Sequence, residues 1–204
     1  MFMNPTSKLK LASAVLALCT TALPPPYIQS SNQGFLVAAV QNINQGKQDA
    51  QVLAKVTVQN LPPEGSMYNA EFAASLINGT VLQPNEIFSF NKIVGPRTLE
   101  KGFVVGVSIS GNRFVPDVGG GICRTSTALH WAAQQAGMKI IEMHNHTQDV
   151  PYADKGTEAA VWWGKLDYKF QNTHNKPIRI LSRGENNTIR VLLIEDTGNE
   201  LHSN

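Results

Sequence analysis

Apolar residues recur along the middle of the chain with two different periods, and the switches between them outline a fold. Ala70, Ala73, Ala74 and Ile77 share one face at helical spacing; Pro62-Pro63-Glu64-Gly65 turns the chain before them, Ser66 is placed to cap the helix and Asn78-Gly79 to end it. Beyond a turn at Pro84-Asn85-Glu86, Ile87 to Phe90 reads as a short strand. Gly95-Pro96-Arg97 opens a loop, and Phe103 to Ile109 is a β-rich run that reverses at Ser110-Gly111-Asn112 into Arg113 to Val115, which makes a hairpin. Helical spacing returns at Ile122, Ser126, Leu129, Ala133 and Ala136 and predicts a second helix from Ile122 or Cys123 to Ala136, with Gly137 as its C-cap. Strand patterns follow at Met138 to Glu142, Ala159 to Trp163, Leu166 to Phe170, Ile178 to Leu181 and Thr188 to Ile194, with a turn at Asp154 to Gly156. Two principal helices, the second starting at a Gly-Gly-Gly-Ile-Cys turn, among roughly seven strands predict an α+β domain with a mostly antiparallel sheet.

The N-terminal quarter follows other rules. Lys8 and Lys10 precede an apolar and small-residue run from Leu11 to Leu18, too short for an ordinary spanning helix, so residues 1–23 read as a signal peptide or an N-terminal anchor. Cleavage after Ala22 fits, with Thr20 at the third position upstream; Cys19 suggests lipidation, but Leu18 before it is larger than such sites favour. Either way the body of the protein is expected outside the cytoplasmic membrane, in the periplasm or cell envelope. Pro24-Pro25-Pro26 and Gln29 to Gln33 have linker composition. Residues 35–60 are less clear: Val52, Val56 and Val58 suit a strand, whereas Gln45 to Lys55 is polar enough for a surface helix. The expected organisation is thus an export segment (1–23), a linker and adaptor (24–60), one domain (61–196) and a C-terminal tail (197–204).

Composition narrows the function classes. With 204 residues, 42% of them hydrophobic and 16% charged, the chain can bury one sizeable core. A net charge of +2, with 17 Lys and Arg scattered along it, gives no basic stripe for nucleic acid, though an anionic wall polymer is a compatible neighbour.

Candidate chemistry centres on Gly119-Gly120-Gly121-Ile122-Cys123-Arg124-Thr125-Ser126. Glycines at 120 and 121 allow a sharp turn and close approach of substrate, and a helix N-terminus beside Cys123 favours thiolate and offers N–H groups to an oxyanion. After export Cys123 is the lone cysteine, and an unpaired thiol in an oxidising compartment implies a use; the bland alternative is a small buried hydrophobe. If Ile141 to His146 continues as a strand, Glu142, His144 and His146 project from one face while Ile141 and Met143 pack inward. One histidine would then pair with Cys123 as base. A zinc site built from Cys123, His144 and His146 is the competing reading, disfavoured because only one cysteine is present; neither metal nor cofactor is expected. Arg124 is a candidate for binding a carboxylate, or a solvated first-turn arginine. Ser126 joins Gly120 and Gly121 as a candidate substrate contact. Trp131, Trp162 and Trp163 offer flat faces to sugar rings or belong to the core, and Asp167 and Asn172 either orient the histidine or end a strand.

These residues, together with Asn78 to Asn91, Gly95-Pro96-Arg97-Thr98, Glu142 with His146, and Asp167 to Asn172, resemble the VanW-like family over about Ser66 to Ile194. The family pattern usually has Gly at Asn85, Gln at Arg124, Arg at Met143 and Asp at Glu158. His146 matches it, which makes His146 the preferred base and places His144 second. Some members resemble L,D-transpeptidases: a cysteine attacks a peptidoglycan stem peptide, and an amine of a second stem resolves the acyl-enzyme. The resemblance therefore implies an exported cysteine acyltransferase on stem peptides. The alternatives are a non-catalytic wall-binding accessory module, as in vancomycin-resistance clusters, and a hydrolase that passes the acyl group to water.

Overall fold

The computed structural model describes residues 50–111 and 113–196. The export segment, the linker up to residue 49, Asn112 and the C-terminal tail lie outside the described residues. In chain order the elements are β1 (Val52–Gln59), α1 (Glu64–Ile77), β2 (Val81–Leu82), β3 (Ile87–Ser89), α2 (Phe90–Val94), β4 (Val105–Ser110), β5 (Arg113–Val118), α3 (Cys123–Gln135), β6 (Lys139–Glu142), β7 (Lys169–Gln171), β8 (Ile178–Glu185) and β9 (Thr188–Glu195). The strands form a four-stranded sheet in the order β1-β9-β8-β2, a three-stranded sheet β3-β7-β6 and the hairpin β4-β5, all antiparallel. The expected α+β architecture is the one found.

Burial explains the layering. Ala70, Ala73, Ala74 and Ile77 of α1 are completely enclosed where that helix rests on β8, and Leu129, Ala132 and Ala133 of α3 are enclosed over β1 and β9. A leucine or isoleucine buried in this way contributes about 1.5–3 kcal/mol. Strand β9 is apolar on both faces: Ile189, Val191 and Leu193 enter the main core, while Leu192 and Ile194 meet Leu181 and Ala50 behind the sheet. Such a strand is held in the sheet interior, between β1 and β8. The valines of residues 52–58 lie in a strand, paired with β9 from Val52 to Gln59.

Several local expectations are corrected. Helix α1 starts at Glu64, with Pro63 in the capping position, so Ser66 is not a cap; it lies inside the helix, and its hydroxyl accepts the Val107 N–H at 2.9 Å. Phe90 belongs not to a strand but to the five-residue α2, capped by the Ser89 hydroxyl, which accepts the Lys92 N–H. Ala159 to Trp163 forms no strand; the segment makes one isolated bridge, Trp162 to Leu166, and Ala160 N–H goes instead to the His144 carbonyl.

The glycine turn before α3 is a packing device. A methyl group on Gly120 would stand 2.5 Å from the Val107 nitrogen, and one on Gly121, whose φ is 104°, would run into the Ser66 backbone. Asn69 of α1 ties the same place together: its amide donates to the Val104 and Gly120 carbonyls, both at 2.9 Å, and its oxygen accepts Val104 N–H at 2.9 Å. The start of α3 is thereby fixed to α1 and β4. Replacing Gly120 by Ala is expected to cost about 3 kcal/mol in urea unfolding. Gly137→Ala, where φ is 70° but nothing lies within 4 Å of the new methyl, should cost about 1 kcal/mol; equal losses would contradict this role for the turn.

Candidate active site

Cys123, half-buried, opens α3, and its thiol donates to the Val161 carbonyl at 3.8 Å. His146 arrives from the loop after β6, with its side chain only 10% exposed. Behind it stands Glu158, a carboxylate 1% exposed, which accepts the His146 backbone N–H at 3.0 Å and the Gly156 N–H at 2.8 Å. One oxygen of Glu158 lies 3.7 Å from Nδ1 of the imidazole, an ion-pair separation, and Nδ1 has no hydrogen-bond partner. The imidazole thus has Glu158 on one side, and Cys123 is the other group that acts on it.

Their charges shape one another. Burial pushes the Cys123 thiol up, but hydrogen bonding and charge from His146, together with the Arg97 charge, bring it below its ordinary value. Burial lowers His146 in turn, and its interactions with Cys123 and then with Glu158 outweigh that, leaving it raised. These are reciprocal parts of one titration.

Two guanidiniums flank the thiol. Arg97 donates to the Gly95 carbonyl and the Asn91 side chain, both at 2.7 Å, and lies near the rings of Phe90 and Trp163. Burial lowers its pKa to about 10, against the pull of Cys123 and Asp167. Arg124, 7% exposed, sits 5.7 Å from the Tyr152 ring centre, and its Nε and Nη1 are enclosed with no hydrogen-bond acceptor. Burial lowers its pKa as well, opposed by Tyr152 and Cys123. Tyr152 also meets His146 edge to face, and burial raises its hydroxyl well above the usual range.

Other expected site residues lie elsewhere. Strand β6 stops at Glu142, so the alternation does not carry on to His146, and the two histidines diverge. His144 pairs with Glu142 at 3.0 Å, Lys169 reaches the other Glu142 oxygen at 2.8 Å, and Asp167 N–H adds a third bond; Lys169 and His144 hold the Glu142 carboxyl down to about 2. Glu142 and His144 therefore form their own cluster, apart from the thiol. Ile141 is 43% exposed instead of packed inward, while Met143 does reach the core. Gly120 is buried against β4, not open to substrate, and Ser126 is fully enclosed, donating to the Ala159 carbonyl at 2.6 Å. Of the helix-start N–H groups expected to serve an oxyanion, those of Arg124 and Thr125 donate to the Gly121 and Ile122 carbonyls. Asp167 and Asn172 hold loops and strand ends: Asp167 accepts from Ser89, Asn91 and Tyr168, and Asn172 donates to Leu82 and Lys176. Trp131 donates to the Thr157 carbonyl at 2.6 Å, while Trp162 and Trp163 stand exposed. Among the described residues no group of three or more His, Cys, Asp and Glu is assembled to hold a metal, because His144 has left the thiol for Glu142.

Glu158, Arg97 and Tyr152 are site residues that the sequence pattern does not single out. Arg97 lies in the Gly95-Pro96-Arg97-Thr98 segment of the family resemblance and Glu158 at a position where the family usually has Asp, but nothing in their spacing indicates that they converge on residue 123. A cavity of about 300 Å³ opens beside Arg97, lined by Asn91, Glu142, Trp163, Gly164, Lys165, Asp167 and Lys169. Arg97 bonds Asn91 and lies near the Trp163 ring, two residues of that lining, and its charge also acts on the thiol.

An antiparallel α+β domain carrying a cysteine–histidine–glutamate set on one helix start and two loops is the class these features define. The chain belongs to the VanW-like family: the family model described as VanW like protein matches residues 65–194. It is 37% identical over 146 residues to the uncharacterized protein YoaR of Bacillus subtilis strain 168, covering 67% of this chain and 48% of YoaR. It is 28% identical over 114 residues to the Vancomycin B-type resistance protein VanW of Enterococcus faecalis strain ATCC 700802 / V583, covering 53% of this chain and 42% of that protein. The chain thus spans about half the length of these curated relatives or less. No solved structure matches it. Among the described residues no helix is long and apolar enough to cross a membrane.

The electrostatics predict how the thiol reacts. The rate of iodoacetamide alkylation at Cys123 should rise with pH through a midpoint below the free-thiol value of about 8.5. His146→Ala removes the lowering interaction while the burial penalty stays, so the midpoint should move up past that value. Identical midpoints in the two proteins would contradict the pairing.

Proposed function

We propose that this protein is an exported cysteine acyltransferase that acts on peptidoglycan stem peptides. The observation that carries the reading is the Cys123–His146 pair, in which each partner shifts the other toward thiolate and imidazolium, with Glu158 behind the ring. The thiolate attacks a stem-peptide carbonyl carbon. His146 gives its proton to the departing amine as the C–N bond breaks, which leaves a thioester on Cys123. The amine of a second stem then attacks the thioester, His146 takes up its proton, and the thiolate departs as the new amide forms. One amide is exchanged for another, with no net change in oxidation state. Arg124, whose buried Nε and Nη1 lack acceptors, supplies the donors for the carbonyl oxygen as it gains charge. The basic and apolar N-terminus of the sequence supports export and leaves membrane anchoring compatible with this chemistry.

A second reading, a non-catalytic accessory module that binds the wall, is favoured by one observation: the cavity is lined by Trp163 and the Glu142 cluster and not by Cys123, Arg124 or His146. It fits a relative named as a vancomycin-resistance protein.

Incubation with stem peptides should add one acyl mass to Cys123, which an added amine removes. His146→Ala should slow its appearance by about 10²–10⁴-fold. An adduct that persists in Cys123→Ala would refute acyl transfer at this thiol; absence of any adduct, with Cys123→Ala still binding sacculi, would establish the accessory reading instead.

A further inference from the structure

We infer that the cavity beside Arg97 is a binding site for a neutral saccharide, with Trp163 as its platform. This goes beyond acyl transfer and does not depend on Cys123.

Trp162 and Trp163 are 52% and 47% exposed, although indole is a side chain that folding ordinarily draws inward. Their exposure is built in. The segment from Trp162 to Leu166 is closed on itself: Trp162 N–H donates to the Leu166 carbonyl at 2.8 Å, and Leu166 N–H returns to the Trp162 carbonyl at 2.9 Å. The Asn91 amide holds this turn to α2 through the Leu166 carbonyl at 2.9 Å. Of the two indoles, Trp162 is taken up by the Lys165 ammonium, 4.1 Å from its ring centre. Trp163 is backed by Arg97 at 5.9 Å, and it is the indole that lines the cavity.

The polar lining decides what kind of ligand fits. Glu142 and Asp167 carry two negative charges, Lys165 and Lys169 two positive ones. Lys169 stands 2.8 Å from Glu142 and 3.7 Å from Asp167. Lys169 is thus already neutralised by Glu142 and Asp167, and Lys165 is seated over Trp162, so an ionic ligand would have to disturb an existing contact of one of these groups. A neutral ligand bearing hydroxyl and amide groups meets no such penalty. It can donate to carboxylate lone pairs and accept from the ammonium groups, which hold several sites each. Its flat C–H face matches the indole, and a cavity of about 300 Å³ is of a size for one sugar unit. Glu142, held down to about 2, remains an ionised acceptor through the whole range in which the protein would work.

The test is titration of the full chain with the β-1,4-linked tetramer of N-acetylglucosamine, followed by tryptophan fluorescence and calorimetry. Saturable binding is expected in the unaltered protein and equally in Cys123→Ala, so that a failure of acyl transfer leaves this result untouched. Trp163→Ala should weaken binding by about tenfold or more, while Trp163→Tyr, which keeps an aromatic face, should restore most of it. Sodium acetate and ammonium chloride at equal ionic strength should not compete. The inference is overturned if the unaltered protein shows no saturable binding, if Trp163→Ala binds as well as the unaltered protein, if tyrosine restores nothing, or if either simple ion displaces the sugar.

Discussion

A half-buried sulfur can carry negative charge only if positive charge stands beside it, because removal from water favours the neutral thiol. Here that charge is the imidazole of His146, which is itself enclosed and would lose its proton were it not for the sulfur in front and Glu158 behind. Each of these groups is costly alone and stabilised by its neighbour. Much of the surrounding structure serves to hold these groups in place: Glu158 accepts the backbone N–H groups of His146 and Gly156, and Asn145 donates to the Glu158 carbonyl, so the carboxylate and the histidine loop fix each other.

The frame on the other side of the sulfur is equally constrained. Helix α3 starts where it does because Gly120 and Gly121 let the turn before it press against Val107 of β4 and Ser66 of α1, and Asn69 locks the three elements together. The glycines therefore place the thiol by close packing of backbone, and the opening toward a substrate must lie elsewhere. Arg97 and Arg124 add a positive setting around Cys123 at a desolvation cost that lowers both their pKa values. Arg97 also links the two candidate sites, since its charge acts on the thiol while its guanidinium lies near the exposed Trp163.

The helices and most of the main sheet were legible because their apolar positions keep a strict period: the enclosed face of α1 is the one read from Ala70 to Ile77, and α3 spans Cys123–Gln135 within the expected limits. The thiol and His146 were legible as residue types, one by its glycine setting and one by its resemblance to a family. Period failed after Glu142, where side chains replace the ladder: Glu142 takes the Asp167 N–H and Glu158 takes that of His146. A strand extrapolated through that point puts Glu142, His144 and His146 on one face, whereas Glu142 pairs with Lys169 and His144 with Glu142, and His146 alone acts on Cys123. Glu158, Arg97 and Tyr152 reach the sulfur through long-range packing, which has no local signature in sequence.

The central claim is that sulfur and imidazole each hold the other in its charged form. NMR titration of the His146 ring, in the unaltered protein and in Cys123→Ala, measures this from the histidine side. The account predicts a His146 pKa above the ordinary histidine value of about 6.5 in the unaltered protein and a clear fall when the sulfur is removed. An imidazole that titrates identically with and without the sulfur would contradict it.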